Sequence, residues 1–383
     1  MSREKRWVGT WSSGPQLTEP GNLPPAPGLA GNTLRQNVFA TLAGQRARVL
    51  FSNEWGEGPV TFQSVRLASS LGASAIDTGT DCELRFGGNS AVTIPPGQTR
   101  RSDPLDFSVA ALESLAVSIH FGAVPDNVTG HPGSRTTSFL ESGGAAAAAR
   151  LPDAATTDHW YFFTGIDVEV DAPAAAIVTI GDSITDGRGS THNANDRWPD
   201  NLARRLQANP LTRQIAVLNQ GIGGNAVVSG GLGPTATARF QRDVLDQRGV
   251  RWVILLEGIN DIGGSTDSSV GSRLIEGYAG LIDSAHARGL LVYGVPILPF
   301  ADSHYDIPAR QEARQIVNHW VRTSGRFDAV IDLDAAVADP QNPNRLRAAY
   351  DCGDQLHLSP AGYQAMADAI DLALFAPRHD PSE

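Results

Sequence analysis

The stretch GDSITDG at 181–187 ends a short apolar run with a serine, Ser183, between two acids, Asp182 and Asp186. A serine hydroxyl is a poor nucleophile at neutral pH and needs an adjacent base. DCGDQLH at 351–357 supplies an imidazole, His357, and three positions before it a carboxylate, Asp354. On one compact turn these side chains can meet locally. The acid would then hold the imidazole tautomer and stabilise the imidazolium formed when His357 takes the serine proton. Acyl transfer also builds an oxyanion, which needs donors aimed at it in advance. The backbone N–H of Ser183, the N–H of Gly224 in NQGIGGN (219–225) and the side-chain amide of Asn260 in EGIND (257–261) are groups of the right kind.

Such groups act together only if the fold brings them to one rim. From 176 onward strands and helices alternate, with candidate strands AIVTI (176–180), IAVLN (215–219), WVILLEG (252–258), LLVYGVPI (290–297) and AVIDL (329–333). Each is nearly continuous in apolar residues, as a strand buried on both faces must be. Leu202 and Leu206 lie one helical turn apart, and Leu274, Tyr278, Leu281 and Ile282 form a second helical stripe. Ser359 and Pro360 read as N-cap and first residue of a helix through 360–374. Five strands with crossover helices make a parallel α/β/α sandwich, whose ligands bind beyond the carboxyl ends of the strands. Those ends carry GDS, NQGIGGN and EGIND, so a hydroxyl, a glycine backbone and a carboxamide are expected side by side. The loop before the last helix adds Asp354 and His357.

In this order the blocks GDSITDG (181–187), GIGGN (221–225), GIND (258–261) and DQLH (354–357) resemble those of the SGNH, or GDSL-type, hydrolase superfamily. The resemblance implies a flavodoxin-like three-layer α/β/α fold and ester hydrolysis without a cofactor or metal. It implies Ser183 as nucleophile and oxyanion donor, Gly224 and Asn260 as the other donors, and Asp354 and His357 as the rest of a triad. Gly224 is preferred to Gly223 because the family's glycine comes five positions after the asparagine that closes the strand, here Asn219. The nucleophile elbow of α/β-hydrolases is a different pattern: it needs glycine two residues after the serine, where this chain has Thr185.

Residues 1–171 follow another grammar. Runs such as RARVLFSN (46–53), VTFQSVRLA (60–68), CELRFGG (82–88), AVTIPP (91–96), LAVSIHFG (115–122) and YFFTGIDVEV (161–170) are short, rich in β-branched and aromatic residues, and broken by Gly, Pro, Asn and Asp. They predict an antiparallel, jelly-roll-like β-sandwich. Residues 141–160 read as a long loop, and 171–176 as a linker. GTWSSGPQ (9–16) resembles the start of the β-sandwich that precedes the catalytic domain in some two-domain bacterial members. The expected organisation is an accessory domain over 1–171 and a catalytic domain over 172–383, in keeping with about 100–200 residues per domain.

Composition narrows the function classes. A net charge of −11, with Lys5 as the sole lysine and arginines spread along the chain, argues against a nucleic-acid footprint or an anionic membrane surface. The start, MSREKRWVGTWSSG, lacks the apolar core of a secretory signal, which reads as cytoplasmic, or as secreted if a signal has been removed. Cys82 and Cys352 are expected as two buried free thiols.

The expected partner is a small-molecule or glycan ester on short acyl or acetyl groups. A metal-dependent phosphoesterase using Asp182, Asp261, Asp354 and His357 is the alternative, although a dense ligand set is missing. A carbohydrate-binding protein with an inactive hydrolase scaffold is another. Asp182, Asp186 and Asp261 are expected to brace loops, and His192, His286, His304 and His319, which lack a partner pattern, to be surface or capping residues. For Trp198, Pro299, Phe300, His304 and Tyr305, lining a substrate pocket and packing a loop are equally open.

Overall fold

The computed structural model describes residues 4–171 and 173–376. Residues 1–3 of the basic start, Ala172 at the expected domain boundary and the last residues, 377–383, lie outside that description. The chain divides into two compact units, Met1–Ala172 with Thr191–Asn195, and Pro173–Ser190 with Asp196–Glu383. The excursion Thr191–Asn195 groups with the first unit because Asn193 brackets Thr137. Its Oδ1 accepts the Thr137 N–H at 2.8 Å and its Nδ2 donates to Thr137 Oγ1 at 3.0 Å.

The first unit is all-β. One antiparallel sheet orders the strands Lys5–Ser12, Phe163–Asp171, Arg46–Ser52 and Thr99–Arg101. A larger one centres on Thr33–Phe39, Ser114–Phe121 and Val60–Gly72. Side chains along Arg46–Ser52 alternate between buried and half-buried, the period of a strand with one face on a core. Phe51, Phe62, Phe121 and Phe163 fill that core without exposure above 1%.

Several elements differ from the sequence reading. CELRFGG forms a strand only at Cys82–Glu83. YFFTGIDVEV is split at Phe162, whose left-handed backbone (φ 57°) interrupts the pairing. A strand at Ala155–Thr157 occupies part of the expected loop. Thr33–Phe39 escapes notice because Arg35 and Gln36, both fully buried, erase its apolar pattern; Arg35 Nε donates to Ser118 Oγ at 2.8 Å. Neither cysteine is buried as expected: both are free, Cys82 half-buried and Cys352 exposed.

The second unit contains five parallel strands, β1 (Ala175–Gly181), β2 (Ile215–Gly221), β3 (Val250–Leu256), β4 (Leu291–Gly294) and β5 (Ala329–Val330). Their order across the sheet is β2-β1-β3-β4-β5. β4 and β5 are shorter than their apolar runs, and Leu333 already starts a helix. The register sets the rim: Gly181 pairs with Gly221 on one side and Leu256 on the other, so three strands end level. Because β1 is flanked by β2 and β3, this is also where the strand order reverses, and a crevice opens there in doubly wound sheets.

The helices are α1 (Ser183–Asp186), α2 (Trp198–Ala208), α3 (Ala236–Phe240), α4 (Ile259–Gly263), α5 (Val270–His286), α6 (Pro308–Thr323), α7 (Leu333–Val337) and α8 (Pro360–Asp368). Leu202 and Leu206 of α2, and Leu274, Tyr278, Leu281 and Ile282 of α5, are buried as their spacing requires. In α8 the Ser359 side chain accepts from the N–H of Gly362, an N-cap followed by proline. The helix ends at Asp368, short of the expected 374, and Asp371 caps a separate 3-10 turn, Leu372–Phe375. Among the described residues no helix is long and apolar enough to cross a membrane.

Candidate active site

Ser183 is the first residue of α1, on the turn directly after β1. Asp182 caps that turn by accepting the Ile184 N–H at 2.9 Å. The turn lies against β2 so closely that a Cβ on Gly221 would stand 2.2 Å from the Asp186 backbone nitrogen. Glycine at 221 therefore lets β2 approach the serine turn.

His357 comes from the far side of the sequence, 174 positions on, and its Nε2 lies 2.7 Å from Ser183 Oγ. Its Nδ1 lies 2.7 Å from Asp354 Oδ2, while Asp354 Oδ1 accepts the backbone N–H of His357 at 2.8 Å and of Leu356 at 3.0 Å. Ser183 and His357 are 7% and 5% exposed, so this pair is largely shielded from water, whereas the Asp354 side chain is 34% exposed. Burial opposes ionisation of Asp354, but the backbone and ring of His357 reverse that and hold its pKa down to about 2. A carboxylate ionised at neutral pH beside Nδ1 favours the tautomer whose Nε2 is free to accept a proton.

The 351–358 loop is locked from both ends. Asp351 accepts the Gln355 N–H at 2.8 Å, and the Cys352 N–H donates to the His357 carbonyl at 3.0 Å. Tyr363 of α8 donates to the Arg188 carbonyl at 2.6 Å, tying this side of the site to the chain that follows α1.

The expected oxyanion donors come from the neighbouring strand ends. Gly224 has φ +74°, a conformation natural to glycine, and its carbonyl accepts the Leu232 N–H at 2.8 Å. Asn260, in α4 after β3, donates from Nδ2 to the Asn225 carbonyl at 2.8 Å. An amide nitrogen carries two protons, so one N–H remains for another acceptor. Of the acids assigned to loop support, Asp182 caps the serine turn and Asp261 accepts the N–H of Val227 at 2.8 Å and of Val228 at 3.0 Å. Of the aromatic residues left open, Trp198, which the structure places first in α2, and Phe300 are fully buried packing, and the Tyr305 hydroxyl donates to Asn260 Oδ1. His286 has a partner after all, Asp328, at 2.8 Å.

The sequence reading missed what lies beneath. Arg239 of α3 is 1% exposed and reaches four elements. It donates to the carbonyls of Gln220 at 2.6 Å and Gly181 at 3.0 Å, to Asn225 Oδ1 at 2.9 Å and to Asp243 at 3.1 Å. Glu257, at the end of β3, lies 3.5 Å from the same guanidinium. Burial pushes Glu257 up to about 8 and Asp182 up to about 7, with Arg239 opposing both shifts. An acid closing the apolar run WVILLEG was a signal for Glu257; a lone arginine gave none.

The four residues of the metal alternative do not assemble. Among the described residues the grouping of potential ligands is Asp351, Cys352 and Asp354, which leaves out Asp182, Asp261 and His357. The oxygens of Asp261 are already taken by backbone N–H groups.

The strand ends of this α/β unit thus bring a serine, an imidazole and a carboxylate into one hydrogen-bonded series. Residues 179–365 match the sequence model of the GDSL-like Lipase/Acylhydrolase family. Over that stretch, just under half of the chain, the protein is similar to GDSL-like lipases and acylhydrolases. No protein of curated function matches it. Similar solved structures include a putative lipolytic protein of the G-D-S-L family from Desulfitobacterium hafniense DCB-2, 19% identical, covering 51% of this chain and 97% of that one, with a TM-score of 0.40. The lipase/acylhydrolase from Enterococcus faecalis is 22% identical over 51% and 92% of the two chains, TM-score 0.40. A catalytic mutant of an acetylxylan esterase from Geobacillus stearothermophilus is 22% identical over 51% and 91%, TM-score 0.39.

Proposed function

We propose that this protein is a serine carboxylic ester hydrolase that works through an acyl-enzyme. The observation that carries the reading is the unbroken series Ser183 Oγ to His357 Nε2 and His357 Nδ1 to Asp354 Oδ2, each step 2.7 Å. His357 takes the Ser183 proton as Oγ attacks the ester carbonyl carbon, and the carbonyl oxygen becomes an oxyanion. The N–H groups of Ser183 and Gly224 and the amide of Asn260 stabilise it; one such donor typically contributes about 3–4 kcal/mol. The tetrahedral intermediate expels the alcohol, which takes the proton from His357. Water then attacks the acyl-serine, giving up a proton to His357, and the carboxylic acid leaves as Ser183 regains its hydrogen.

On this reading the C-terminal unit is a flavodoxin-like three-layer sandwich and the all-β unit a jelly-roll-like accessory sandwich. The substrates are short-chain acyl esters, with acetylated carbohydrate the preferred class. Small and polar residues around the serine turn, GRGST at 187–191, and the presence of an accessory unit support that choice.

Hydrolysis of p-nitrophenyl acetate and butyrate by wild type and Ser183→Ala tests the reaction. Activity should persist in chelator and vanish in the mutant with its fold intact; full activity in Ser183→Ala would sink the proposal. Acetate release from acetylated xylan, set beside an acyl chain-length series, tests the substrate. Rates rising steadily toward long chains would count against a deacetylase.

A further inference from the structure

Asn260 has one N–H committed to the Asn225 carbonyl, and its Oδ1 accepts from the Tyr305 hydroxyl at 3.0 Å. Two contacts on opposite ends of a planar amide fix both its rotation and the direction of the remaining N–H. Reversing the amide would press Oδ1 against the Asn225 carbonyl, an acceptor facing an acceptor. The Tyr305 hydroxyl adds a donor where Oδ1 now lies, and a hydrogen bond into the carbonyl end polarises the N–H end.

Tyr305 does not reach this place by chance of loop packing. Its ring lies over Gly263, in the last turn of α4, where a Cβ would stand 2.3 Å from the ring carbon bearing the hydroxyl. The slot exists only because residue 263 has no side chain. Arg310 braces the loop, its guanidinium carbon 5.7 Å from the Tyr305 ring centroid, donating to the Tyr305 carbonyl at 3.3 Å and to the Ser265 carbonyl at 2.8 Å. Tyr305 also takes support from Ser303 Oγ, which accepts its N–H at 3.1 Å.

We propose that Tyr305 is a positioning residue for the oxyanion donor: through its hydroxyl it holds the Asn260 amide with the second N–H directed at the developing oxyanion. The proposal rests on the ester-hydrolase reading and on Asn260 as a donor. Because the oxyanion exists only after attack, the effect belongs in kcat and leaves KM alone.

The experiment is a double-mutant cycle on p-nitrophenyl acetate with the full chain: Tyr305→Phe, Asn260→Ala and the pair. Phenylboronic acid, which forms a tetrahedral adduct with a reactive serine, gives a second readout. Tyr305→Phe keeps the ring in its slot, so folding is preserved. It should lower kcat about tenfold, a part of the 10²–10³ that losing a whole donor costs, with KM unchanged and boronate inhibition weakened in proportion. In the Asn260→Ala background the same change should do nothing further. Gly263→Ala, which pushes the ring out of the slot, should reproduce the loss.

A Tyr305→Phe effect that persists without Asn260, or one that appears in KM, overturns the proposal. If Asn260→Ala itself leaves kcat unchanged, the donor role and the Tyr305 role both fall. Ser183→Ala then decides separately whether the hydrolase reading survives.

Discussion

Arg239 donates to the carbonyl of Gly181 at 3.0 Å, two residues before Ser183, from a side chain with no exposed surface. The same guanidinium binds the end of β2 and the loop that carries Gly224, and faces Glu257 at the end of β3. One side chain thus levels the rim on which the proposed chemistry depends.

Replacing it should be costly. Arg239→Met leaves buried Glu257 without its cation and strips the Gly181 and Gln220 carbonyls of their charged donor, while Asp243 keeps Arg242; breaking a buried pair in this way destabilises by roughly 3–5 kcal/mol. Arg239→Lys should rescue little, because an ammonium cannot reproduce a planar fork across these acceptors. Urea denaturation measures both; a wild-type midpoint for Arg239→Met would contradict the structural role.

The buried acids give stability a definite pH slope. Asp182 and Glu257 titrate near 7 and 8 in the folded chain, against ordinary values of 3.8 and 4.5. Between those limits the folded state holds protons that the unfolded state has released, so stability falls as pH rises. The contribution is complete below the unfolded values and lost as pH passes the folded ones. Denaturation midpoints at about pH 5 and about pH 8 should therefore differ in favour of the lower pH, and Glu257→Gln should flatten the difference. A slope of the opposite sign, or one untouched by that substitution, would refute the assignment.

Asp354 works in the other direction. Its pKa of about 2 keeps it ionised through neutral and mildly acidic conditions. Asp354→Asn retains the size but removes the charge and offers the wrong group to Nδ1, so kcat should fall by roughly 10⁴ with little change in KM. Steady-state kinetics at saturating ester decides it, and a loss confined to KM would mean Asp354 serves binding instead.

At Gly221 the prediction is steric. A methyl group there meets the Asp186 backbone at 2.2 Å, and backbone does not yield like a side chain. Gly221→Ala should displace the Ser183 turn, lowering kcat while costing about 1–3 kcal/mol of stability. Gly280, where nothing lies within 4 Å of a Cβ, is the control, and Gly280→Ala should leave both quantities near wild type.

Elements whose signals are local were legible in the amino-acid order. Continuous apolar runs marked the strands of the parallel sheet, because a strand buried on both faces admits little else. Ser359 and Pro360 marked the start of α8, because a cap and a fixed φ act within one turn. Asp354 and His357 were legible as a pair because three positions on one turn suffice for them to meet. Local signals failed where burial was polar or the backbone unusual, as with Arg35 in Thr33–Phe39 and the left-handed Phe162.

Meetings across long separations came from the folded arrangement alone. That Ser183 lies 2.7 Å from an imidazole 174 positions away follows from strand register and loop closure, which no spacing encodes. Arg239 beneath the rim and Tyr305 on Asn260 are of the same kind. Their partners lie 58 and 45 positions away, so a lone arginine and a lone tyrosine acquire a purpose only once packing chooses their neighbours.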